Sequence, residues 1–188
     1  MNIPQKISSY TAEIETEYSR PSVYARRALD SGSERLVVDV SDGRVEVFSG
    51  LIKCLEGPFL MLYVLHTPRG EGAAGRYQSP TLSRTELDQF IARFSEYFQA
   101  DGRFDIWIRS QASNATLVWD RHNKIFAYGP LGLFEATLNA FGFSQGEPES
   151  APSTPHIHHY RSEYDNEASA VLAALDWQHS PLRPEDEQ

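Results

Sequence analysis

The chain has 188 residues, 40% apolar and 12% aromatic, with 17 Lys and Arg against 26 Asp and Glu. That is enough for one domain with a sizeable core, and the balance excludes a disordered chain. The single cysteine, Cys54, excludes an internal disulfide framework or a CxxC zinc or redox site, and no apolar run approaches the roughly 20 residues of a membrane span.

Residues 1–34 are polar, and Pro21 is placed to open a short helix through Val23, Tyr24, Arg27 and Leu29 before Gly32. Residues 36–48 alternate on both sides of Asp42-Gly43, the pair most favoured in two-residue turns. This predicts a hairpin with Val40 opposite Val45 and Val38 opposite Val47. Residues 58–65 are apolar at nearly every position, as in a strand covered on both faces. The loop that follows contains Gly70-Glu71-Gly72-Ala73-Ala74-Gly75, a GxGxxG match. No helix opens directly after it, so a plain loop is expected rather than a dinucleotide site.

Ser83 and Glu86 form a capping box, and Leu87, Phe90, Ile91, Phe94, Tyr97 and Phe98 follow as one helical stripe up to Gly102. Residues 104–109 alternate as a strand. Residues 115–128 predict a hairpin around Arg121-His122-Asn123, with Trp119 opposite Ile125 and Val118 opposite Phe126. Gly129-Pro130 ends it, and Leu133, Phe134, Leu138 and Phe141 form a shorter helix closed by Gly142. Residues 144–155 read as a Pro/Gly/Ser linker, 156–179 as an extended segment plus a helix entered near Asp165, and 180–188 as an acidic tail.

The expected fold is α+β, an antiparallel or mixed sheet of about six strands packed by about three helices, with hairpins at Asp42-Gly43 and His122-Asn123. Its core domain spans 35–143, preceded by the polar segment 1–34. Strands apolar on both faces make a homodimer a further expectation.

Residues 144–188 hold two cations against nine acids, −7 of the chain's −9. Localised acidity speaks against nucleic acid and for a basic protein partner. The N-terminal stretch lacks the apolar core of a signal peptide, so a cytoplasmic location is expected, with no membrane association.

The most unusual local feature is His156-Ile157-His158-His159. In an extended chain His156 and His158 point to one side, a spacing suited to metal ligation, with Glu163, Asp165 or His179 as a third ligand. Acidic surroundings should favour the protonated rings. Together with Tyr160, Arg161 and Tyr164 the histidines outline a candidate groove for a partner or ligand. Asp120, Arg121 and His122 mark a hairpin tip without a nucleophile motif, and no residue carries a catalytic signature or calls for a cofactor.

The function expected on these grounds is that of a soluble bacterial-type domain acting by protein–protein contact, as an inhibitor or immunity-like partner of a basic effector. A metal- or small-ligand-binding enzyme using the His156/His158 segment is the alternative, and a structural homodimer the second.

Overall fold

The computed structural model describes residues 4–11, 14–40, 42–149 and 155–186. Its twelve strands and five α-helices run β1 (Ile7–Thr11), β2 (Ile14–Glu17), β3 (Val23–Ala28), β4 (Glu34–Asp39), α1 (Val45–Lys53), β5 (Phe59–Leu65), β6 (Gly75–Gln78), α2 (Arg84–Arg93), α3 (Ser95–Ala100), β7 (Phe104–Ser110), β8 (Ala115–Trp119), β9 (Lys124–Tyr128), α4 (Leu131–Ala140), β10 (Ser144–Gln145), β11 (His156–His158), α5 (Asp165–Ala173) and β12 (Gln178–Ser180). Nine strands form the main sheet in the order β10-β3-β4-β9-β8-β7-β5-β6-β12, antiparallel except for β10 on β3. A second sheet has the order β11-β1-β2. The class is α+β, as expected, with more strands and helices than expected.

The main sheet has two unlike faces. On one, the cross-strand row Val38–Ile125–Trp119–Ile106–Tyr63–Tyr77 and its neighbour Leu36–Ala127–Leu117–Ile108–Met61 are buried. The helices cover them. Phe48 of α1 lies 5.4 Å from Trp119 between ring centroids, and Phe98 of α3 lies 5.5 Å from Phe104. On the other face the row Val37–Phe126–Val118–Trp107–Leu62 is only partly covered. The two-sided apolar strands are thus helix-packed on one side and open on the other.

Several sequence expectations hold. The hairpin at His122-Asn123 forms in the expected register, with Trp119 opposite Ile125 and Val118 opposite Phe126. Asn123 adopts the left-handed conformation, φ 59°. Ser83 and Glu86 make the capping box, and the whole stripe from Leu87 to Phe98 is buried. It spans two helices, because Phe94 (φ −107°, ψ 16°) leaves helical geometry between α2 and α3.

Others are corrected. The Asp42-Gly43 hairpin is absent. Gly43 does turn the chain at φ 64°, but the turn leads into α1, where Val45, Phe48, Leu51 and Ile52 form a buried helical stripe. Alternation over four residues fitted both periods, and β3 and β9 already occupy both edges of β4. The short helix expected after Pro21 is instead β3, held by β4 from Tyr24 opposite Val38 to Ala28 opposite Glu34. In the polar N-terminal segment Lys6 and Ile7 are fully buried, and in the acidic tail Asp186 is buried against Arg76. Residues 150–154 of the expected linker lie outside the described residues.

Candidate functional site

Three histidines converge at one end of the main sheet. His122 comes from the β8–β9 turn, where the Asp120 carboxylate accepts the backbone N–H groups of His122 at 2.9 Å and Lys124 at 2.8 Å. These two bonds shape the turn and aim the imidazole. His156 and His158 come from β11, paired residue for residue with β1: Ile7 opposite His158 and Ser9 opposite His156. The period of two in a strand places both rings on one side. The ring centroids lie 4.8 Å (His122–His158), 5.1 Å (His156–His158) and 5.3 Å (His122–His156) apart, and one nitrogen from each ring falls within 4.8 Å of the others.

Tetrahedral zinc–nitrogen bonds of about 2.0–2.1 Å separate ligand nitrogens by roughly 3.4 Å, so rotations of about an ångström would close the trio on an ion. Asp120 Oδ2 stands 3.5 Å from Nδ1 of His122, the place of the carboxylate that commonly orients a metal-bound imidazole. Nδ1 of His158 is buried without a hydrogen-bond partner. The turn Asp101–Arg103 clamps the segment behind β11. Gly102 N–H donates to the carbonyl of His159 at 2.9 Å, and the backbone N–H of Arg161 donates to Asp101 at 2.8 Å. A Cβ at Gly102 would fall 2.9 Å from the Lys6 carbonyl and 3.2 Å from Nδ1 of His158. Only glycine lets the turn come this close. Arg103, buried among Asp101, Glu71 and Asp165 at 2.8 to 3.1 Å, anchors the clamp.

The protonation pattern differs from the sequence expectation. Burial, then repulsion from His122, His156 and Arg121, lowers the pKa of His158 to about 3, so this ring is neutral near neutral pH. Burial and Arg161 also lower His159. Behind the histidines Lys6 lies with its ammonium 4.2 Å from the Trp119 ring centroid, and burial lowers it to about 8 against the pull of Asp120, Asp105 and Asp101. Burial alone would raise the Asp120 carboxyl, but hydrogen bonds from His122 and Lys124 and the Lys6 charge hold it below its ordinary value.

The other candidates disperse. Glu163 is not part of the cluster, and His122 takes the place expected of a third ligand. Asp165 binds Arg69 and Arg103, while His179 packs on Tyr77. His159 turns away to Ser8 at 3.0 Å and Glu15 at 3.2 Å. Arg161 reaches the carbonyls of Ala100 and Gln5, and Tyr164 packs on Tyr97 at 6.0 Å between ring centroids. Tyr160 alone of the expected groove residues stacks on the trio, parallel to His158 at 6.3 Å. The GxGxxG loop is occupied internally, with Glu71 on Arg103.

A cleft of about 370 Å³ opens beside His122 on the uncovered sheet face. Its floor is Phe126, Val118 and Trp107. Sequence reading missed both the cleft and the part of His122 in the trio. The signal available was Asp120 two residues before a turn histidine, a spacing too common to single out. The chain matches no protein-family model, no curated protein and no solved structure.

Proposed function

We propose that this chain is a metal-dependent enzyme, with His122, His156 and His158 holding a zinc-class divalent ion next to a small-molecule cleft. The observation that carries the reading is the convergence of three imidazoles from two separate segments, each held by its own backbone hydrogen bonds. Imidazole suits zinc and its neighbours among the transition metals. Three protein ligands would leave one position open for water or substrate, and an ion held there would supply Lewis-acid activation of whatever occupies it. His122 belongs both to the trio and to the cleft wall, so that position would adjoin a bound molecule.

The contact readings have less to rest on. Asp165 and Asp186, two of the acids that suggested a basic partner, are engaged by Arg69, Arg103 and Arg76 of the chain itself. The open sheet face that suggested a homodimer carries the charged rim of a ligand-sized cleft.

The test is metal stoichiometry. Protein loaded with zinc and freed of excess should retain one ion per chain. At 100 times its dissociation constant zinc should add about 2.7 kcal/mol, or roughly 5–10 °C in melting temperature. His122→Ala and His158→Ala should each weaken binding at least 100-fold with the circular dichroism of the fold retained. Wild type that binds zinc no better than these variants would remove the proposal.

A further inference from the structure

The face that holds the cleft is ordered in rows. Arg109 lies opposite Thr116 and Thr116 opposite Tyr128, with Arg35 at the far end of the same row. Hydroxyls link the row: Arg35 Nη1 donates to the Tyr128 oxygen at 2.8 Å, and Arg109 Nη1 to the Thr116 oxygen at 3.1 Å. The next row is the apolar floor of Phe126, Val118 and Trp107. Beyond it lie Asp120 and His122.

The charges of this cleft are unevenly matched. Its acids already have partners within the chain: Asp105 holds His66 at 2.9 Å and the Arg121 backbone N–H at 2.8 Å, Asp120 accepts the backbone N–H groups of His122 and Lys124, Glu185 lies 3.6 Å from Arg183, and Asp186 is bound by Arg76. Among the described residues Arg35 and Arg109 have only neutral polar hydrogen-bond partners, Tyr128 for one and Thr116 and Asn114 for the other. Neither makes an ion pair with the described residues. Arg35 also lies 4.8 Å from the Phe126 ring centroid, and its Nε and the indole N–H of Trp107 are buried without a hydrogen-bond partner. Two guanidinium groups with no carboxylate partner among the described residues, above an aromatic floor with a spare donor, form a receptor for an anion on an apolar body.

We propose that the cleft binds a small organic anion, a carboxylate or phosphate monoester on an aromatic or aliphatic body. Its charged end sits at Arg35 and Arg109, its body lies on Phe126, Val118 and Trp107, and its other end points to His122. From Thr116 through Val118 to Asp120 the strand advances roughly 13 Å, which limits the ligand to about one ring and a short chain. That this anion is the substrate of the histidine centre rests on the metal reading. That it binds does not.

Benzoate, phenyl phosphate, inorganic phosphate and benzyl alcohol are to be titrated into metal-free wild type and His158→Ala, following the Trp107 indole N–H by NMR. Benzoate or phenyl phosphate should bind at submillimolar concentration and shift this signal. Benzyl alcohol and inorganic phosphate should bind at least tenfold more weakly. Arg109→Gln, on the exposed rim, and Arg35→Gln should each weaken the anion at least tenfold, and Trp107→Phe should weaken it less. Which of the two anions binds more tightly separates a carboxylate ligand from a phosphate one. Anion binding retained in His158→Ala supports the cleft whatever becomes of the metal. Equal binding of the alcohol and the anions, no binding below 10 mM, or unchanged affinity in Arg109→Gln would overturn the proposal.

Discussion

Lys6 shows how one side chain reports on its surroundings. Its ammonium lies over the rings of Trp119 and Phe104, and burial brings its pKa from 10.5 to about 8. Below pH 8 the ammonium is charged in both folded and unfolded chains. Between about pH 8 and 10.5 the unfolded chain keeps the proton that the folded one has lost, so this residue makes stability rise with pH across that window. The shift corresponds to about 3 kcal/mol. Lys6→Met keeps the apolar stem, and the rise between pH 8 and 10.5 in denaturant-unfolding free energy should vanish from the variant. An unchanged slope would show that Lys6 is solvated.

At the scale of elements, the helical stripe around Phe94 carries much of the packing under the sheet. Phe94 meets Phe90 at 4.9 Å and Phe98 at 6.1 Å between ring centroids and is 3% exposed, at the joint of α2 and α3. Phe94→Ala should cost about 3–5 kcal/mol, measured by chemical denaturation. A loss below 1 kcal/mol would mean that the joint repacks freely.

Elements announced by several consistent local signals were legible in the sequence. The α2 start had a capping box and a six-residue stripe, and the β8–β9 hairpin had alternation plus an asparagine suited to φ above zero. Where local signals conflicted, tertiary pairing decided. Residues 36–48 alternate, yet the strand ends at Asp39 because its two neighbours are already in place. β3 shows little periodicity and is a strand by virtue of β4 and β10. The candidate site divides in the same way. His156 and His158 were readable from strand alternation alone. Their third companion sits on a turn far upstream, a proximity set by how β11 adds to β1 beside the end of the main sheet.

For the molecule as a whole, the histidine trio adds a second meeting point between the two sheets, beside the bonds by which the Asp101–Arg103 turn holds His159 and Arg161. His122 belongs to the nine-stranded sheet, whereas His156 and His158 belong to the small sheet built with the N-terminal strand. An ion at their meeting point would act as a fastener between the small sheet and the large one, and local openings generally cost less than global unfolding. Ligation energy is then spent against detachment of the small sheet and only secondarily against melting of the large one. Hydrogen exchange at Ser8, Ser9 and Ile157 should slow at least tenfold on zinc addition, while amides in the middle of β5 and β7 hold their rates. Equal slowing in both sheets would describe one indivisible unit. If the fastener operates, metal scarcity becomes a structural signal: the chain would keep its main sheet and release its N-terminal strand.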